Sequence, residues 1–166
     1  RINLNLREKH AFTYGASSGF DFRRGAGPFV VSTAVKSEVT ARAVEEILRE
    51  IAAMRAAPPS ADELTLATDY LAGVFPIRFE TTAAVAGALA GAAVHGLGAE
   101  WFRTYRAAVQ AVRTEDVHRV AREQLDPDRL LVLAVGDPTA IETPLAALGH
   151  GDLRVMAAAT DPAEES

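Results

Sequence analysis

The chain has 166 residues, 49% hydrophobic and 23% charged, with a formal net charge of −5. That balance fits a globular domain able to bury a core and excludes a disordered chain, while the acidic excess excludes a general nucleic-acid binder, which needs a basic face. Cysteine is absent, which removes disulfide scaffolds and thiolate metal sites.

Taken in order, residues 2–8 read as the last turns of a helix, with Ile2 and Leu6 four apart. From Phe12 to Phe22 large and small or polar residues alternate at the period of a strand, which puts Tyr14 on that strand. The glycine- and proline-bearing run 23–28 predicts a turn, and the β-branched run 29–35 a second strand pairing antiparallel with the first. Ser37 is the expected N-cap of a long helix with the apolar stripe Val39, Ala43, Ile47, Ile51 and Met54, stopped by Pro58 and Pro59.

Ser60-Ala61-Asp62-Glu63 is a capping-box signature, and the helix it opens is limited by Pro76. Three more helices are predicted at 81–95, 100–112 and 114–125, then a short buried strand at 130–135 closed by Gly136-Asp137-Pro138. A small helix near 141–148 and an edge strand at 153–156 follow. The order predicts one α+β domain over 1–157, a largely antiparallel sheet covered on one face by helices. The acidic tail 158–166 is expected to be disordered. No membrane span is expected, because the most apolar run, 83–94, is too short to cross a bilayer. No apolar stretch of signal-peptide length follows a basic start.

Arg7 and Tyr14 stand seven positions apart across the expected helix-to-strand junction. A guanidinium stays charged and offers a rigid fork of donors to a carboxylate or polarised carbonyl. A phenol donates one hydrogen bond without charge and can stabilise a developing oxyanion. The pair forms an electrophilic clamp with neither nucleophile nor metal. Taken singly, Arg7 reads as a surface ion-pair partner of Glu8 and Tyr14 as a half-buried strand residue.

The run Leu6-Arg7-Glu8-Lys9-His10-Ala11-Phe12-Thr13-Tyr14-Gly15 resembles the L-R-x-K/E-x-x-x-x-Y segment of the insulinase/pitrilysin family of zinc peptidases, to which the mitochondrial processing peptidases belong. Weaker echoes follow in order: Phe29-Val30-Val31-Ser32-Thr33, Thr114-Glu115-Asp116-Val117, Leu125-Asp126-Pro127-Asp128-Arg129, and the run from Leu130 to Pro138. The resemblance covers about 1–157 and points to the carboxy-terminal, metal-free half of such an enzyme. It implies that Arg7 and Tyr14 bind peptide and stabilise the tetrahedral intermediate. Zinc would be held by an amino-terminal half or partner subunit, not by this chain, and the substrate would be an oligopeptide. It also implies a fragment lacking a first strand and helix, inactive alone. The alternative within the same family is a non-catalytic scaffold, like the core subunits of respiratory complexes.

Competing motifs are weaker. Gly15-Ala16-Ser17-Ser18-Gly19 matches G-x-S-x-G, but a nucleophile elbow needs a helix directly after the serine, and 20–28 cannot start one. The family's zinc motif, H-x-x-E-H, is missing, and His10, His95, His118 and His150 are scattered. His95 is expected at a helix C-terminus and His118 on a solvated helix face. Gly87 and Gly91 form G-x-x-x-G, read here as close packing of helices in a core.

Overall fold

The computed structural model describes residues 1–156. The expected tail, 158–166, lies outside them. The chain opens helically into a π-helical turn, Leu4–Lys9, followed by β1 (Ala16–Phe20) and β2 (Phe29–Thr33). A 3-10 turn, Ser37–Val39, leads into α1 (Thr40–Ala56). Then come α2 (Ala61–Val74), a 3-10 turn at Pro76–Phe79, α3 (Thr82–Val94), α4 (Ala99–Gln110), α5 (Thr114–Gln124) and α6 (Pro138–Ala146). The two strands form a small antiparallel sheet, and the class is α+β.

The residues group into two compact units: Arg1–Ser17 with Ser32–Leu48 and the chain from Leu131, and Ser18–Val31 with Arg49–Leu130. The core of the first is Leu6, Ala43 and Ile141. Beside it the Asn5 amide donates to Glu46 Oε2 at 3.0 Å, and His10 Nε2 lies 3.6 Å from the same oxygen. His10 stacks on Phe12, whose ring also lies 4.9 Å from the Arg42 guanidinium carbon. Asp137 caps α6, accepting from the Thr139 N–H at 2.9 Å and hydroxyl at 2.7 Å, with Pro138 at the first helical position. That helix packs on the turn Ser37–Val39.

In the second unit α2 packs on α4 around Phe75, which is buried between Tyr105, stacked at 4.2 Å, and the edges of Phe79 and Trp101. Ser60 and Glu63 form the full capping box of α2, the Ser60 hydroxyl accepting at 3.2 Å and the Glu63 carboxylate at 2.9 Å. The Arg55 guanidinium donates to the carbonyls of Arg122 and Leu125, holding the end of α5. His118 Nε2 donates to the Arg55 carbonyl at 2.9 Å, so it is a half-buried tie between α5 and α1 and not a solvated residue. Across the hairpin Phe20 meets Phe29 at 5.0 Å, and Asp21 N–H closes the loop on the Pro28 carbonyl. Gly27 is required there, because a Cβ would stand 1.7 Å from the Asp21 oxygen.

The helices fall where the periodicity put them, and four further local expectations are corrected. β1 begins at Ala16, so Tyr14 lies in the bend before the strand. Thr13 bonds locally to Gly15 and takes that stretch out of the ladder. Ser37 is inside the 3-10 turn, whose cap is Lys36. Residues 130–135 form no strand: Leu131, Leu133 and Val135 are 92%, 82% and 94% exposed. Nor do residues 153–156. A strand needs a neighbour for its hydrogen bonds, and among the described residues only β1 and β2 pair. Apolar composition signals a preference for burial and does not supply that neighbour.

Candidate functional site

The site is built from the first unit. Arg7 sits in the π-helical turn, whose inner face is anchored by fully buried Leu6. The helix end is closed by three main-chain bonds: His10 N–H to the Asn5 carbonyl at 3.1 Å, Ala11 N–H to Arg7 at 3.1 Å, and Phe12 N–H to Leu6 at 2.8 Å. Ala11 takes the left-handed conformation, φ 52°, where a glycine is usual at a helix end. The chain thereby reverses sharply and runs out through Phe12 and Thr13 to Tyr14.

Neither candidate is consumed by the core. The Arg7 side chain is largely exposed, and its ion-pair partner is Glu8 at 3.5 Å. Such a pair is weak and easily exchanged for a ligand's carboxylate. Tyr14 is 101% exposed, with ring and hydroxyl in solvent. The two side chains share one short stretch of chain and one compact unit, and no hydrogen bond joins them among the described residues.

Three residues that the sequence reading passed over surround this stretch. The Asn3 side-chain oxygen accepts the Ala16 N–H at 2.9 Å. The Thr13 hydroxyl donates to the Gly15 carbonyl at 2.8 Å and accepts the Gly15 N–H at 3.1 Å. Thr33, from β2, donates into the same pair of oxygens. The available signal was Thr13-x-Gly15, a hydroxyl two residues before a glycine, which marks a local side-chain turn.

The other candidates are not drawn together. Ser17 lies inside β1, which leads into the loop before Phe29 and not into a helix, so no nucleophile elbow forms. His95 ends α3 as its C-cap. No three His, Asp or Glu side chains among the described residues come together as a metal site. No single helix there is long and apolar enough to cross a membrane, although the bent pair Ala61–Phe79 and Thr82–Val94 passes by length and composition.

Residues 1–71 match the model of the family described as peptidase M16 inactive domain. The fold is similar to the solved structure of a peptidase M16 inactive domain from Pseudomonas fluorescens, with a TM-score of 0.68 at 23% identity. That alignment covers 75% of this chain, which spans 30% of the other. No curated protein matches. The family match lies in the first 71 residues, and the structural likeness extends the shared fold over three quarters of the chain.

Proposed function

We propose that this chain is the metal-free half of a zinc endopeptidase, working with a zinc-bearing amino-terminal half or partner subunit. Zinc held by that partner would supply the activated water. A glutamate of that same half would act as the general base taking the water's proton, and this chain's own residues would bind and polarise the peptide. Arg7 binds the peptide, directing its fork of donors at a backbone carbonyl or carboxylate. Tyr14 donates its hydroxyl to the oxygen that gains charge as the scissile carbonyl becomes tetrahedral. The observation that carries this reading is that both residues of the family motif stand exposed on either side of the Ala11 reversal, with their polar ends available to a ligand.

The test is steady-state kinetics of the assembled enzyme on a quenched oligopeptide. Tyr14→Phe should lower kcat by about two to three orders of magnitude, the usual cost of one oxyanion donor. Arg7→Ala should also raise KM, and Arg7→Lys should restore only part of the loss, because a point charge does not reproduce the fork. Full turnover in folded Tyr14→Phe and Arg7→Ala enzymes would make the chain a scaffold subunit instead.

A further inference from the structure

We infer that Asn3, Thr13 and Thr33 are positioning residues that fix Tyr14 relative to Arg7, an inference that rests on the catalytic role proposed for Tyr14. Tyr14 itself has no packing to hold it, being fully exposed. An exposed side chain in a bend is placed only as well as its backbone is. The main chain around it is gripped from three sides.

On the strand side, the Thr13 hydroxyl uses all its capacity: one donated bond to the Gly15 carbonyl, and accepted bonds from the Gly15 N–H and the Thr33 hydroxyl at 3.0 Å. A hydroxyl has one donor and two acceptor sites, so nothing of it is left over. The single Thr33 proton is shared between the Thr13 oxygen and the Gly15 carbonyl at 3.1 Å, which ties the bend to β2. On the helix side, Asn3 accepts the Ala16 N–H at 2.9 Å. Asn3 is the N-cap of the π-helical turn that carries Arg7. The segment that presents Arg7 therefore also holds the chain two residues beyond Tyr14.

These bonds close a ring in the fold: helix, left-handed Ala11, bend, strand onset, and back to the helix through Asn3. The point from which the Tyr14 side chain departs is fixed by bonds to Gly15 and Ala16 and not by contacts of its own ring. Misplacement of a reacting group by about 1 Å can cost on the order of 100-fold in rate, so loosening this ring should act on turnover more than on substrate affinity.

The assembled enzyme with a quenched oligopeptide is the system to use. Thr13→Val should lower kcat about 10- to 100-fold with little change in KM, Thr13→Ser should recover most of it, and thermal melting should hardly move. In a Tyr14→Phe background, Thr13→Val should have no further effect, since the two act through one group. Wild-type kcat in Thr13→Val while Tyr14→Phe is crippled overturns the positioning role and leaves the functional reading intact. A Tyr14→Phe enzyme of normal turnover sinks the functional reading, and the positioning role with it. Amide exchange of this chain gives a readout free of activity: Asn3→Ala should speed exchange at Ala16, and Thr13→Val at Gly15. Unchanged exchange at both overturns the inference. Should Thr13→Val fail to fold, Thr33→Val removes only the outer hydroxyl and must still reduce kcat for the inference to stand.

Discussion

Glu46 of α1 and Asn5 of the Arg7-bearing turn meet in a buried hydrogen bond of 3.0 Å, with the glutamate only 7% exposed. A charged acceptor out of water has to be met by donors, and here one of them comes from the segment that presents the candidate site. Glu46→Ala should destabilise the chain by about 2–3 kcal/mol, as expected for losing a hydrogen bond to a charged group. Glu46→Gln, which keeps an acceptor, should cost less. Denaturant unfolding of the two variants checks the order, and equal stability of Glu46→Ala and wild type would contradict it.

A second prediction concerns Phe75, the buried ring between Tyr105, Phe79 and Trp101. Phe75→Ala leaves a cavity among rings that cannot collapse together and should cost about 3–5 kcal/mol. Phe75→Leu should recover a large part. A thermal-melting series reads both, and a melting temperature unmoved by Phe75→Ala would show that this cluster is not the packing centre of α2 and α4.

The third prediction is one of pH. The hydroxyl of Thr139, and then its N–H, hold the Asp137 carboxyl below the usual carboxylate range. The folded pKa being depressed, the contribution is fully present above the ordinary aspartate value. It is lost as pH falls through the lowered one. Asp137→Ala should therefore be less stable than wild type at neutral pH, with the gap closing in acid. The Asp116 carboxyl is lowered in the same direction, chiefly by the Arg113 N–H, so it adds to the same acid limb. Melting temperatures of the two chains across the acid range check this; a gap that widens toward low pH would reverse the sign.

The helices were legible because their signals are local. Ser60 and Glu63 cap α2 as the sequence indicated, and Pro58-Pro59 and Pro76 bound α1 and α2. Arg7 and Tyr14 stood out as a spacing within a familiar run, and both side chains are exposed in the fold. What escaped was everything that depends on a partner distant in sequence. Residues 130–135 have the composition of a buried strand but no neighbour among the described residues. His118 carries no local sign of its bond to Arg55, 63 residues away. Asn3 and Thr33 act on the Tyr14 bend from 13 and 18 residues away, bonding Ala16 and Gly15, and only the folded chain brings those atoms together.

The exposure of Leu131, Leu133 and Val135 has a colloidal consequence. No charged side chain interrupts the run between Arg129 and Asp137, so it presents exposed apolar side chains on a segment with no strand partner among the described residues, the combination that invites intermolecular strand pairing. What opposes this is long-range repulsion from the net charge of −5. Salt that screens that charge, or a pH near the isoelectric point, removes the restraint while leaving the attraction in place. The solubility of the isolated chain is thus expected to follow ionic conditions acting on seven residues outside its helices.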